Sequence, residues 1–600
     1  MKSPSLSLAL AAATASLATA SQDTKTFQNP LWTGFHPDPT CAFVPEFNNT
    51  FFCTTSSFIM FPGLPIYASQ DLVNWKHISN AFSRAEQIPS MDNIVRGATS
   101  GIYAPTIRYR DGQMIIMSTV AHQGFPGENY TRWDNFIMTS DDPFSSESWS
   151  DPIRFDYPGI DPSPYWAPNG SVIVAGAKDG TTMPQAQMDL ETGEWLSPLQ
   201  NTWNGTGLPS PEAPHIYEKD SWLYLVIAEG GTRERHRVNV ARSKSIDGPW
   251  EPCPHNPILT AYQNEESLFQ AVGHADFFQD ASGKWWSVVL ANRAGGDYAE
   301  DPYNSNFPMG RETALTSVTW EDGWPVMQNV SAQMSGDWEL PPHVGLLEAG
   351  EGHRVGDDDV LEFEPGSSLP IHLFYWRLPK TKHYEISPED HPNSLALRSS
   401  RLNLTGFDGD STRGWGQTFL ARKQTDSLFR FSVDVEWDGL LTKDGHEVGV
   451  TILQDQSQHF DISIVMLFDS TSNTTVPHIR FRGLSTTPFR LPSNQLHFDQ
   501  TTPLRPSWRG QKLRLQVEGL NATHYEFAAG LGGEDEDREM QVFGHTTGDK
   551  LIPYYSGAVV GAFATSNGRY KEGDFEAYVS RWRYTGVRQI LDNDEKMGNL

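Results

Sequence analysis

A chain of 600 residues exceeds what one ordinary hydrophobic core organises, so two or three domains are expected. Aromatic residues make up 12% of it and charged residues only 20%, enough for packed cores and for rings that stack on sugars. The formal net charge of −29 excludes nucleic acid and an anionic membrane surface as partners, because both repel such a protein.

Residues 1–20, "MKSPSLSLALAAATASLATA", combine an early lysine, an apolar Leu/Ala run and a closing Ala-Thr-Ala. This pattern predicts a signal peptide cleaved after Ala20, and hence a secreted, extracellular protein. No later apolar run is long enough to span a bilayer. Sequons at Asn48, Asn129, Asn169, Asn204, Asn329, Asn403, Asn473 and Asn521 agree with a secreted glycoprotein.

Beyond the leader, "GFHPDPT" places Asp38 between Pro37 and Pro39. Proline fixes its own φ and biases the residue before it away from the helical region, so Asp38 is expected in a stiff, extended setting. Cys41 and Cys53 flank "AFVPEFNNTFF", a hairpin that a disulfide could close, leaving Cys253 free and buried.

Five segments then repeat one pattern of small or acidic residues with proline, a short apolar strand, a polar turn and a second strand. They open at Asp38, Ala104, Asp161, Glu212 and His274, in steps of 66, 57, 51 and 62 residues. Asp111-Gly112, Asn169-Gly170 and Ser282-Gly283 supply turn chemistry between the paired strands. Blocks of strands at this spacing predict an all-β fold, a five-bladed β-propeller over residues 27–340. In a propeller the innermost strands line one channel, which would bring Asp38, Asp161, Glu212 and His274 to a single funnel. Each tripeptide alone reads as a polar turn at the start of a strand. Three acids at equivalent repeat positions read as a shared site.

Residues 341–364 are rich in Gly, Pro and acids and read as a linker; Asp357, Asp358 and Asp359 suit a solvated crossing better than a calcium site. Alternating strands such as "FRFSVDVEW" and "FDISIVMLF" predict a C-terminal β-sandwich over 365–586, followed by a loosely held tail, 587–600.

Two carboxylates across a pocket can cleave a glycosidic bond, one protonating the leaving oxygen and the other attacking or activating water. A third acid nearby raises the proton donor's pKa by like-charge repulsion. An all-oxygen metal site would want ligands closer in sequence. His274 reads equally as a channel group or as a hydrogen-bonded structural histidine.

The motifs "GFHPDPT", "GIYAPTIRY", "GIDPSPYW", "PEAPHIY", "GHADFF" and "MGRETALTSVTWEDGWPV" together resemble glycoside hydrolase family 43, in its two-domain β-xylosidase and α-L-arabinofuranosidase branch. "GVTILQD" and "GAVVGAFATSNGRY" resemble that branch's β-sandwich. The resemblance implies an inverting hydrolase with Asp38 as general base, Glu212 as general acid and Asp161 as the residue that tunes and orients the acid. It further implies that Arg311 bonds sugar hydroxyls and that Phe58 and Tyr103 line the pocket, although plain core packing also suits both rings. His274 would sit at the channel floor and contact substrate. No cofactor is required, with Ca2+ at His274 in the central channel as an option. Thr40, Ala213 and Met60 depart from the family pattern, and Met60, standing where tryptophan is common, bears on the pocket wall. Tyr554 and Tyr555 are candidates for a sandwich segment that caps the pocket.

The expected activity is release of terminal β-D-xylosyl units from xylo-oligosaccharides, with α-L-arabinofuranosyl units of arabino-oligosaccharides as the alternative. A carbohydrate-binding propeller without catalysis is the rival from another class. A retaining fructan hydrolase is excluded, since its N-D-P-N-G type motif is absent. Nothing in the sequence specifies an oligomeric state.

Overall fold

A computed structural model describes residues 25–591 apart from 95–97, 123–131, 265, 294–308, 407–410, 412–415, 487–494, 523, 536–538 and 552–554. The leader, the Asn129 sequon and Tyr554 lie outside the described residues. The described chain is built from strands, with only short 3-10 turns between them.

Five antiparallel sheets follow one another in chain order, each starting at an inner strand. The inner strands are Thr40–Val44, Gly101–Arg110, Ile160–Trp166, Glu212–Lys219 and Phe269–Gln279. Local chemistry sets the hairpins. Asp111 and Gly112 both take positive φ in the two-residue turn that pairs Arg110 with Gln113, the geometry that suits the twist of a hairpin. The ring is closed by Thr26–Gln28 pairing with Gln333–Ser335, and by Leu31 N and His36 N donating to Thr313 O and Arg311 O at 2.7 and 2.9 Å. First and last blades are thus sewn together beside the Asp38 motif. Cys41 and Cys53 sit opposite each other in the first blade and form a disulfide, while Cys253 is free and buried.

The C-terminal part is a sandwich of two eight-stranded sheets. Phe431, Val433, Val450, Ile462, Leu515, Phe527 and Trp582 fill its core. One sheet runs on into the propeller, where Met60–Phe61 pair with Trp376 and Tyr375. A shared apolar cluster joins Phe58, Ile59 and Ile102 of the propeller to Trp376, Phe419 and Phe563 of the sandwich. That continuity lets a sandwich loop reach the propeller's funnel.

Four expectations need correction. Asp38 is not extended: its φ is +54°, because the chain is re-aimed there just before the inner strand begins. The acidic crossing is not wholly solvated. Asp359 is 3% exposed, within 2.9 Å of both Arg422 and His372, and its strand Asp359–Leu361 pairs with Glu576–Arg588 of the sandwich. The tail is held further than its composition suggests, since Gln589 Nε2 donates to Thr425 O and Ile590 is buried beside Ser427. Met60 lies in the strand shared with the sandwich and lines a cavity at the domain boundary with His77, Asn80 and Phe374.

Candidate active site

Four of the five repeat openings share one backbone feature: Asp38, Ala104, Asp161 and His274 have φ of +54°, +21°, +57° and +50°. In the fourth blade the same feature falls one residue past the expected opening Glu212, at Ala213, with φ of +51°. Residues with a Cβ rarely enter this region, and they do so where surrounding structure compels it. In four blades the ladder slips at the same place, between Tyr103 and Thr106, Ile160 and Ser163, Glu212 and His215, and across Gly273. Each slip is a bulge, which turns a side chain out of the regular alternation and, here, into the channel.

Asp38 is buried and well partnered. Ser56 Oγ donates to its Oδ2 at 2.6 Å, Arg311 Nη1 to its Oδ1 at 3.1 Å, and His274 Nδ1 lies 3.7 Å from Oδ1. Burial raises its pKa, but Arg311, His274 and the Ser56 hydroxyl outweigh burial and hold the carboxyl below its usual value. Glu212 has the opposite surroundings. Burial and the charge of Asp38 push it up to about 7, against the pull of Arg311. Asp161 is raised well above its usual value by burial and by Glu212 and Asp38. Its Oδ2 accepts from Ala213 N at 3.0 Å, which ties it to the backbone beside Glu212. One site thus holds one carboxyl lowered below its ordinary value and two raised above theirs, a division made by environment.

Arg311 is held from both domains. It donates through Nη1 to Thr232 Oγ1 and through Nε to Tyr555 O, both at 3.1 Å, and stacks on the Tyr555 ring. Phe58 meets Tyr103 edge-on at 5.6 Å and lies parallel to Tyr555 at 6.5 Å. Gly101 makes this wall possible, since a Cβ there would stand 2.1 Å from Phe58 O. Phe58, Tyr103 and Arg311 therefore converge with the acids, and Tyr555 is the sandwich's contribution.

Calcium at His274 does not fit. Among the described residues no three His, Cys, Asp or Glu side chains are placed to hold a metal. The groups acting on His274 include the Arg311 guanidinium, which would repel a cation, and only one carboxylate, that of Asp38, lies within 4 Å of it.

Sequence reasoning missed Ser56, Thr232 and His236. His236 is buried, its Nδ1 hydrogen-bonded to Ala271 O at 2.9 Å, and its Nε2 is 3.7 Å from Glu212 Oε1 without a hydrogen-bond partner. Burial lowers its pKa to about 3, so it stays neutral with a lone pair facing the acid. Gly273, in the "GHADFF" region, is the mark it leaves in the sequence: a Cβ there would stand 2.6 Å from the imidazole.

Residues 27–325 match the family profile described as glycosyl hydrolases family 43, and residues 361–585 match the β-xylosidase C-terminal concanavalin A-like domain. The chain is 34% identical to the non-reducing end α-L-arabinofuranosidase BoGH43B of Bacteroides ovatus, over 73% of this chain and 76% of that protein. It is 29% identical to a xylosidase/arabinosidase of Butyrivibrio fibrisolvens, over 78% and 85%. Among solved structures, the GH43B protein of a Bacteroides ovatus xyloglucan locus superposes with a TM-score of 0.76 and 28% identity, covering 94% of this chain and all of that one. The fold of a xylan β-1,4-xylosidase from Bacillus halodurans agrees at a TM-score of 0.75 over 93% of this chain and 99% of that one, with 24% identity. The chain belongs to glycosyl hydrolases family 43 and is a glycoside hydrolase.

Proposed function

We propose that this family 43 member is a secreted, inverting, exo-acting hydrolase that releases terminal β-D-xylosyl units from xylo-oligosaccharides. The observation that carries the mechanism is the division of protonation within one buried site: Asp38 is held ionised by Arg311 while Glu212 keeps its proton up to about pH 7. Asp38 draws a proton from water as that water attacks the anomeric carbon. Glu212 gives its proton to the departing glycosidic oxygen, and the sugar leaves with inverted configuration. Asp161 orients Glu212 through the Ala213 amide, and neutral sugar substrates suit a strongly acidic protein.

Proton NMR of the first-formed sugar tests this reading. Inversion is expected, and a product that retains the starting configuration removes Asp38 from the role of base. An exo mode is supported by Tyr555, a sandwich residue that stacks on Arg311 beside Asp38 and is backed by Tyr103 and by the buried ring of Phe58. Secretion is supported by the leader-like first twenty residues and by the exposure of the sequon residues Asn48, Asn169, Asn204, Asn329 and Asn473, while Asn403 and Asn521 are only partly exposed.

A second reading takes α-L-arabinofuranosyl units as the main substrate, favoured by the name of the Bacteroides ovatus relative. Aryl β-xylopyranoside and aryl α-arabinofuranoside, compared by kcat/KM, separate the two.

A further inference from the structure

Below the three acids lies a second ring of polar side chains that the catalytic reading leaves unused. At its centre is Arg108, from "YAPTIRY" on the inner strand of the second blade. Its guanidinium grips Asp276 of the fifth blade with both Nη atoms, at 2.8 and 2.9 Å. Nη1 also donates to Ile107 O at 2.8 Å and reaches Thr40 Oγ1 of the first blade at 3.3 Å. Nη2 donates to His215 Nδ1 of the fourth blade at 3.1 Å, and Ser163 Oγ of the third blade lies 2.9 Å from the same Nδ1, sharing its one lone pair. Tyr217 OH and Thr40 Oγ1 complete the shell on Asp276, each at 2.6 Å.

We propose that Arg108 is the propeller's own central cation, a positioning residue that ties all five inner strands together and so sets the catalytic carboxylates against one another. Thr40, Ser163 and Asp276 each stand two residues after Asp38, Asp161 and His274, and His215 stands three after Glu212. In the last three of these blades the bulge lies between the ring residue and its partner in the site. A shift of any ring member is therefore passed to a residue of the site through only two or three residues of bulged backbone. The chemistry requires arginine. A planar fork can serve a carboxylate on one side and an imidazole lone pair on the other, whereas a lysine ammonium is a point charge. Asp276, 0% exposed, supplies the only carboxylate recorded on Arg108 among the described residues, so the ring is neutral as a unit. Burial lowers the His215 pKa to about 3 and keeps it uncharged, and the Arg108 N–H aimed at Nδ1 selects the tautomer that accepts there.

The proposal rests on the assignment of Asp38, Glu212 and Asp161 as the catalytic trio, and its test separates the two. Arg108→Ala is assayed on an aryl xyloside alone, with millimolar guanidinium chloride, and with NaCl at matched ionic strength. The expected result is a ~10²-fold loss of kcat with a smaller change in KM, as befits misplaced catalytic groups. The midpoint of thermal unfolding falls as well. Guanidinium, filling the vacated cage, restores part of both by mass action, while NaCl restores neither and the wild type responds to neither. A folded Arg108→Ala protein with wild-type kcat, or one that guanidinium does not rescue, overturns the proposal. If that variant does not fold, Arg108→Lys decides: it should keep the charge, lose the fork and remain below wild type in kcat, and full activity refutes the tie. Glu212→Gln run alongside isolates the underlying assignment. Full activity there would sink the catalytic trio, yet guanidinium rescue of the Arg108→Ala unfolding midpoint would still show the five-blade tie.

Discussion

The Glu212→Gln substitution removes a proton donor while leaving the shape of the side chain intact, and the structure sets the size of the effect. Partial burial and the charge of Asp38 push Glu212 from 4.5 up to about 7, although its side chain keeps 22% of its surface exposed. At pH 6 a carboxyl of that pKa is protonated in ~90% of molecules, against ~3% at the ordinary value, a ~30-fold gain in the donating form. General acid catalysis contributes ~10²–10⁴-fold when the leaving group is a poor one. Xylobiose, whose leaving group is a sugar hydroxyl, should therefore lose ~10³-fold in kcat. A dinitrophenyl xyloside leaves without protonation and should lose ~10-fold or less. The assay is stopped-time sugar release for the first substrate and absorbance for the second, each across pH 4 to 9. Wild-type activity on xylobiose should fall above about pH 7 as Glu212 loses its proton, and that limb should vanish in the variant. Equal losses on both substrates, or a basic limb that survives the substitution, would refute the assignment.

On the proposed mechanism Asp38→Asn removes the group that activates water, so both substrates should lose ~10³-fold or more in kcat, with no sparing of the activated one. Arg311→Met releases two carboxyls from a nearby positive charge. The Asp38 pKa, held down by Arg311, rises, and so does that of Glu212, which Arg311 also lowers. Both limbs of the kcat/KM profile should thus move to higher pH; a profile that stays in place contradicts the electrostatics. Gly273→Ala forces a methyl group to 2.6–2.7 Å from the His236 ring and must displace it from Glu212. Overpacking of this kind costs about 1–3 kcal/mol, visible as a lower unfolding midpoint and a lower kcat. Adding His236→Ala should recover the midpoint without recovering kcat, and purely additive losses of stability would argue against the steric account.

What could be read from the sequence was whatever repeats. Acids and prolines recurring at strand starts located Asp38, Asp161 and Glu212, and the aromatic-rich strands between them revealed the blades. What could not be read was how each position departs from its strand. The prolines around Asp38 suggested an extended backbone, yet five non-glycine residues at or beside the repeat openings take positive φ. Such strain is imposed by packing from neighbouring blades, and no local pattern announces it. Long-range partners were hidden for the same reason. Asp359 looks like one of three solvated acids, but strand alternation turns it inward onto Arg422 while Asp358 stays outside, accepting from Gly586 N. His236 carries no motif of its own, and only the space left by Gly273 betrays it.

The division of labour among three chemically similar acids comes down to one asymmetry, the position of Arg311. It touches Asp38 through both Nη atoms, and no contact of it with Glu212 or Asp161 is recorded among the described residues. The proposed base is therefore stabilised as an anion by Arg311, with help from His274 and Ser56, and its charge adds to burial in raising the proposed acid. Arg311 does not hold itself in place. Its Nε is fixed by the carbonyl of Tyr555, whose ring also covers the guanidinium and packs against Phe58. The sandwich thus acts on the chemistry as well as on the shape of the pocket. A loop from the second domain orients the charge that decides which carboxylate in the first is base and which is acid. On that account, loosening the Tyr555 contact should weaken the acid–base division itself, and not merely the grip on substrate.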